Sequence, residues 1–301
     1  MRITIQLCTY NRAHLLGRVL DGCFEQTLPG DQYEVVLIND GSRDETPAVI
    51  EAAERRATCG FTVVHQANAG LARGRNAGIA RSRGERIVFI DDDILPTPTF
   101  VEEHLRSHVR TPEAVVGGAV INAETFDELP PPIWTLANYS ANFFWTSNVS
   151  VARETLDRVG HFIEDFREYG WEDIELGMRL RKAGAPGIFN KRALVFHHKP
   201  RPRAGNVAGM LRQARAQART AVQLQALHPH WRVVLAIGDD PMQRALHRAA
   251  RALGFPARFE RALGDCSADR ALTGRELFAA REAARETYFE ELERAKAGLG
   301  G

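Results

Sequence analysis

Cysteine is scarce in this chain and scattered. Cys8, Cys23, Cys59 and Cys266 are the four in 301 residues, with no CxxC pair. That spacing excludes a disulfide scaffold and a thiolate zinc site, and it favours a reducing compartment. An excess of one charge is also missing: 39 Lys and Arg against 38 Asp and Glu leave a formal charge of +1. There is no basic field for non-specific nucleic-acid binding, so any charged partner must be met locally. No apolar run reaches the roughly 18 residues of a spanning helix, and residues 1–9 are too short and polar for a signal-peptide core. The expected location is cytoplasmic, with peripheral membrane contact left open. Long internal repeats are absent too. With 44% hydrophobic and 26% charged residues, the chain can still bury one large core and a smaller extension.

What is present is alternation. Residues 3–9 form a β-rich run ending at Tyr10-Asn11-Arg12, and Leu15, Leu16, Val19 and Leu20 then recur at helical spacing. Tyr33 to Ile38 predicts a buried strand closed by the turn Asn39-Asp40-Gly41-Ser42, and Thr46 to Arg56 predicts a helix. A third strand is expected at Phe61 to Val64, a Gly- and Ala-rich helix from Gly70 to Ser82, and a fourth strand at Arg86 to Ile90 running into Asp91-Asp92-Asp93. This order implies an α/β fold, a mainly parallel sheet flanked by helices. Pro96 and Pro98 predict a loop into a helix with His104 and His108, whose i,i+4 spacing suits zinc in principle, although a solvated helix face fits better.

The run Leu129-Pro130-Pro131-Pro132 marks a linker or gating loop between about 1–128 and about 133–203. Beyond it come the aromatics Trp134, Tyr139, Phe143, Phe144 and Trp145. A strand through Asn148 to Val151, a helix from Trp171 to Ala183 and a strand Ala193 to Phe196 leading into His197-His198 follow. From Gly205 onward Arg, Ala, Leu and Glu dominate with helical period, so 204–301 reads as a helical extension. Arg212, Arg215 and Arg219 near Leu211, Val222 and Leu224 leave an anionic membrane open as a partner there, beside the plainer reading of a solvated bundle.

In open α/β sheets ligands bind beyond the carboxyl ends of the strands. Tyr10-Asn11-Arg12, Asp40 and Asp91 to Asp93 should therefore line one crevice. Three adjacent carboxylates repel one another unless a cation or an arginine lies near. If the segment stays extended, Asp91 and Asp93 point the same way and Asp92 turns aside. The first and third are then candidates to hold a hard divalent cation against a diphosphate leaving group. Helix capping is the plainer alternative. Asp40 could accept hydrogen bonds from a ribose or base, or merely close a turn. Glu172-Asp173 opens a helix, where backbone N–H groups favour the ionised form. Asp173 is the candidate general base, against the ordinary habit of acids in first helical turns.

The blocks Cys8-Thr9-Tyr10-Asn11-Arg12, Asn39-Asp40-Gly41-Ser42, Asn68-Ala69-Gly70 with Ala72 to Gly78, and Asp91-Asp92-Asp93 occur in this order. Together with Gly170-Trp171-Glu172-Asp173 and His197, they resemble family 2 glycosyltransferases of the GT-A fold over about the first two-thirds of the chain. The resemblance implies an inverting enzyme that moves a sugar from a nucleotide-diphosphate donor, of UDP type, to a hydroxyl of a carbohydrate, lipid-linked or small-molecule acceptor. It implies donor contacts from Thr9, Tyr10, Arg12, Asp40, Asn68, Arg75, Asp91 and Asp92, with Asn76 beside Arg75. It implies a divalent metal, Mn2+ or Mg2+, on Asp91, Asp93 and His197, the choice over His198 being open. Asp173 would be the base and Glu172 would orient the acceptor. Gly70, Gly74 and Gly78 are read as packing positions. Lys199 to Arg203 reads as a flap over the diphosphate or as a solvated linker, and the aromatics from Trp134 to Trp145 as an acceptor platform or as core.

Two rivals stand beside this reading. A sugar nucleotidyltransferase should carry a Gly-rich basic loop after its first strand, and this chain has no glycine before Gly17. A catalytically inactive nucleotide-sugar sensor or scaffold would have no need of Asp173 and His197 beside Asp91 and Asp93.

Overall fold

The computed structural model describes residues 1–139, 142–263 and 270–298; Cys266 lies outside them. The described chain divides into two compact units, one of residues 1–167 and 172–200, the other of residues 168–171 and 201 onward.

The first unit is built on an eight-stranded sheet. Its strands are β1 (Ile3–Thr9), β2 (Tyr33–Asn39), β3 (Gly60–His65), β4 (Arg86–Phe89), β5 (Ile94–Pro96), β6 (Val115–Ala123), β7 (Val149–Ala152) and β8 (Gly187–His198), in the order β3-β2-β1-β4-β7-β6-β8-β5. The half from β3 to β4 is parallel, whereas β7 joins antiparallel to both β4 and β6. Strands β1 and β2 are buried at every position, which is why they read as continuous apolar runs.

The two faces of the sheet carry separate cores. Ile3, Ile5, Leu7 and Val88 join Leu16, Val19 and Leu20 of α1 (Ala13–Phe24) on one side. Ile87 and Phe89 join Leu176 and Leu180 of α6 (Glu172–Lys182) on the other. The alternation along β4 is the two-residue period of a strand. Helix α3 (Leu71–Arg81) approaches β1 through its glycines: a Cβ on Gly74 would stand 3.0 Å from Cys8 Sγ, and one on Gly78 2.4 Å from the Gln6 side chain.

Two strands depart from the sequence expectation. Residues 94–96, expected as loop, form β5, an edge strand where Pro96 removes no needed donor. β6 was hidden by Gly117-Gly118, which weaken the strand pattern. A Cβ on Gly118 would meet Ala193 O at 2.1 Å, beside a register shift between Gly118 and Ala119. β8 is longer than Ala193 to Phe196, because Lys191 and Arg192 at that irregularity interrupt its apolar run.

His104 and His108 of α4 (Phe100–Arg110) are also corrected: they face the interior, at 0% and 3% exposure. Nδ1 of His104 and Nε2 of His108 both lie 2.8 Å from Ser150 Oγ, and His104 Nε2 lies 2.9 Å from Asn148 Oδ1. Burial lowers their pKa values to about 3 and about 4, so both imidazoles are neutral packing groups.

The second unit is helical: α7 (Val207–Leu227), α8 (Trp231–Ala236), α9 (Pro241–Ala252), α10 (Phe255–Leu263) and α11 (Gly274–Ala297). Ala214, Ala218 and Ala221 of α7 and Ala279 and Ala280 of α11 are buried small residues that allow close helix packing. Asp240 caps α9 by accepting from the N–H groups of Met242 and Gln243, and Thr273 with Glu276 forms a capping box on α11. The arginines of α7 do not form one free face. Arg219 is held by Glu168 at 2.5 Å and Glu291 at 2.7 Å, and Val222 and Leu224 are buried.

Candidate active site

The carboxyl ends of β1, β2 and β4 bring their polar residues together as the parallel register requires. Asn11, at φ 52, receives Arg43 N–H on its Oδ1, while its own N–H donates to Ser42 Oγ. The loops after β1 and β2 are thereby cross-braced. Tyr10 stays 46% exposed at the mouth. Asp40 is buried and accepts from Gln66 Nε2 at 2.7 Å and from the N–H groups of Ala69 and Gly70 at 2.9 and 3.0 Å. Asn68 Nδ2 donates to Asp40 O at 3.1 Å. Asp40 and Asn68 thus meet, and Asp40 organises the loop before α3 with both of its oxygens engaged.

The acidic run does not stay extended. Ile94 N–H returns to Asp91 O at 3.2 Å, making a turn, and the three carboxylates fan out to different partners. Asp91 accepts from Ser147 Oγ at 2.7 Å and from Arg75 Nη2 at 3.2 Å. Asp92 accepts from Thr9 Oγ1 at 2.8 Å, with Arg12 Nε at 3.5 Å. Asp93 has Arg12 Nη2 and His197 Nε2, each at 3.7 Å. Burial pushes the Asp92 carboxyl up to about 7 against the pull of Arg12. At Asp93 burial works the same way, but the His197 contact and Arg12 outweigh it and hold the carboxyl below its ordinary value. The expected pairing of Asp91 with Asp93 on one side therefore gives way to Asp92 and Asp93 sharing Arg12. Thr9, buried, holds Asp92 with its hydroxyl.

Arg75 is the second centre. It is 4% exposed and donates from Nη1 to Glu172 Oε1 at 2.6 Å and from Nη2 to Thr146 Oγ1 at 2.8 Å as well as to Asp91. The Phe162 ring lies 5.4 Å from its guanidinium. In this arrangement the guanidinium is turned to Glu172, Thr146 and Asp91. Its neighbour Asn76 likewise braces the loop at Phe162 and Glu164. Glu172 is buried with Oε2 unpartnered, so it is tied to Arg75 rather than open to an acceptor. Asp173 accepts the N–H of Ile174 at 2.7 Å. Burial, then the charge of Glu172, hold its carboxyl well above the usual range, with Arg75 opposing. Thr146 and Ser147 were missed by sequence reasoning. Their hydroxyls precede β7 in an otherwise aromatic stretch, and nothing in their spacing announces that they face Arg75 and Asp91.

The donor set for a divalent cation was tested against this geometry. Among the described residues, no group of three or more His, Cys, Asp and Glu is arranged to hold a metal ion. A carboxylate and an imidazole 3.7 Å apart, Asp93 Oδ1 and His197 Nε2, still suit a hard or borderline ion that takes its remaining oxygens from phosphates and water. Each Asp91 oxygen accepts one hydrogen bond, from Arg75 and from Ser147, and keeps a further lone pair. His197 faces Asp93, whereas the His198 ring packs 5.5 Å from Phe126.

Of the aromatic stretch, Phe144 is fully buried against Phe89, and Trp134 and Tyr139 pack on Phe189. Only Phe144 of the five is core; Trp134, Phe143 and Trp145 are half-buried and Tyr139 is 54% exposed, and residues 140 and 141 lie outside the described residues.

The family model described as glycosyl transferase family 2 matches residues 4–164. Validoxylamine A glucosyltransferase of Streptomyces hygroscopicus subsp. jinggangensis (strain 5008) is 30% identical over 220 residues, covering 61% of this chain and 52% of that one. Chondroitin synthase of Escherichia coli is 24% identical over 241 residues, covering 66% and 35%. The chain thus spans about half the length of the first of these relatives. Among solved structures, mannosyltransferase PcManGT from Pyrobaculum calidifontis in complex with GDP-Man and Mn2+ superposes with a TM-score of 0.61 at 19% identity, over 98% of this chain and 86% of that one. TarS 1-349 of S. aureus in complex with UDP-GlcNAc gives a TM-score of 0.57 at 16% identity, over 99% and 92%. At these identities the structures establish the shared GT-A fold.

Proposed function

Because the chain belongs to glycosyl transferase family 2, we propose that it transfers a sugar with inversion from a nucleotide-diphosphate donor, a UDP-sugar, to an acceptor hydroxyl. The reaction is assigned to the crevice beyond β1, β2 and β4. The observation that carries this reading is the buried network in which Arg75 joins Asp91 to Glu172, with Asp173 beside it. A lone structural ion pair would need one acid. Here one arginine bridges two carboxylates, which leaves one negative charge in excess, and a third carboxyl, Asp173, lies in a site that holds its proton tightly.

In this reading Asp173 takes the proton of the acceptor hydroxyl as that oxygen attacks the anomeric carbon. Arg75 fixes Glu172, and the charge of Glu172 makes Asp173 a stronger base. Asp40 builds the loop that carries Asn68 and Gly70, while Tyr10 offers an exposed ring to the donor base. Thr9 and Arg12 hold the acidic turn, and Arg12, 41% exposed in its side chain, is the cation assigned to meet a phosphate. Asp93 and His197 are the ligands assigned to Mn2+ or Mg2+, which supplies charge neutralisation to the departing diphosphate. The Mn2+ and GDP-Man in the mannosyltransferase complex, and the UDP-GlcNAc in the TarS complex, support a diphosphate donor held with a metal.

The deciding experiment is a mass-spectrometric screen of nucleotide sugars with the purified chain and Mn2+, over carbohydrate, lipid-linked and small-molecule acceptors. Consumption of one donor with appearance of a glycosylated product is expected. Binding of UDP with no turnover of any donor, by transfer or hydrolysis, would instead leave a nucleotide-sugar sensor.

A further inference from the structure

Helix α9 is docked by its polar side. Within the helical unit its inward contacts are largely polar: Arg244 meets Asp239 at 2.7 Å, Arg251 reaches Glu286 and Glu290 at 3.4 and 3.3 Å, and His247 lies with Nδ1 3.0 Å from Glu286 and its ring 4.8 Å from that of Phe289. Its one buried residue is His247. Met242, Leu246, Ala249 and Leu253 recur at steps of four, three and four, a single stripe. The three large side chains of that stripe are 69%, 57% and 63% exposed. Trp231 and Leu235 of α8 and Phe255 at the start of α10 are exposed as well. A stripe of exposed apolar side chains along one helix marks a place of contact.

Charge selects the occupant. From Pro241 to Phe259 there is no Asp or Glu, against Arg244, Arg248, Arg251 and Arg258. Arg248 bonds only to the Arg244 carbonyl, Arg258 lies over the Phe255 ring at 5.3 Å, and Arg232 over the Trp231 ring at 5.5 Å. None of these three has a carboxylate partner among the described residues. A second copy presenting the same surface would bring like charges together, whereas an anionic lipid surface would neutralise them. We infer that α8, α9 and the start of α10 seat in the headgroup layer of an anionic membrane. Met242, Leu246 and Leu253 enter the acyl boundary, and Arg232, Arg248 and Arg258 meet lipid phosphates. No helix among the described residues is long and apolar enough to cross a membrane, so this contact lies in the plane of the interface and weakens with salt.

The test is flotation of the full chain with vesicles of phosphatidylcholine alone and of phosphatidylcholine mixed with phosphatidylglycerol. Binding to the anionic vesicles is expected to exceed binding to the neutral ones by about tenfold or more, and to fall as salt rises. The pair Leu246→Glu and Leu253→Glu, at exposed positions, is expected to abolish it. Arg248→Gln with Arg258→Gln should remove the anionic preference, and Val109→Glu, at a 72% exposed site in the first unit, should change nothing. Equal binding to both vesicles, or wild-type flotation of the Leu246/Leu253 variant, would overturn the proposal. So would a dimer in analytical ultracentrifugation without lipid that Leu246→Glu splits.

Discussion

In the sheet-based unit Arg75 is 4% exposed and surrounded by Glu172, Asp91 and Thr146. In the helical unit Arg219 also bridges two carboxylates, Glu168 and Glu291, yet its side chain is 40% exposed. Both arginines join distant segments of their units, and in both the neighbouring acids raise the guanidinium pKa; at Arg75 burial is the largest single influence and works against the acids, which together outweigh it. The difference lies in solvation. Charges taken out of water interact strongly and cannot be left single, whereas water screens the exposed set. The first arrangement suits chemistry, because a proton or a bond in transit feels its field. The second suits tethering.

The largest effect tests whether the buried set is there for chemistry. Asp173→Asn keeps shape and burial but cannot accept a proton, so transfer is expected to fall by roughly 10²- to 10⁴-fold, with UDP affinity by calorimetry unchanged. Transfer at the wild-type rate would remove Asp173 as the base. Next comes Arg75→Met, which leaves Glu172 as an uncompensated buried charge and takes the cation from the half-buried Asp91. A loss of about 3–5 kcal/mol in denaturant stability is expected, together with loss of transfer. A loss below about 1 kcal/mol would mean that water reaches the network and that the contrast with Arg219 is false.

A third measurement uses pH. Burial and Glu172 raise the folded pKa of Asp173, so between the ordinary carboxyl value and the folded one the folded state binds the extra proton. The stability this group contributes is therefore full below its unfolded pKa and is lost as pH rises through the folded value. Activity runs the opposite way: the base must be ionised, so kcat/KM should rise with pH through a range above that of an ordinary carboxylate. Glu172→Gln removes the repelling charge while leaving Arg75 in place, and should move that rising limb to lower pH. A limb that stays put would mean that Glu172 does not set the basicity of Asp173.

Most of the parallel half of the fold was legible, because β1 and β2 are buried on both faces and carry their apolar content as uninterrupted runs. The signal failed where one residue serves two masters. Gly117-Gly118 lower strand propensity yet are what lets Ala193 and Asn148 approach β6, and Pro96 argues for a loop yet is harmless at an edge. At the site, strand order placed Asp40, Asp91 to Asp93 and the end of β1 at one end of the sheet without help. Orientation was not legible, because a single hydrogen bond, Ile94 N–H to Asp91 O, turns the acidic run and sends Asp91 to Arg75 instead of toward Asp93. The enclosure of Arg75 was equally invisible, since Thr146 and Glu172 arrive from 71 and 97 residues away.

The smallest effect completes the comparison. Arg219→Met removes a cation that holds the segment at Glu168 to α7 and α11, but each bond is made where water competes. A stability change of no more than about 1 kcal/mol is expected, shrinking further as salt is raised. Transfer should persist, because neither Glu168 nor Glu291 is assigned to the reacting atoms. The informative quantity is the ratio to Arg75→Met under the same salt series. If the effect at Arg75 stays constant while that at Arg219 fades, solvation separates the two sites. If both fade together, Arg75 is open to ions, and Asp173 would lose the dry surroundings that keep its proton.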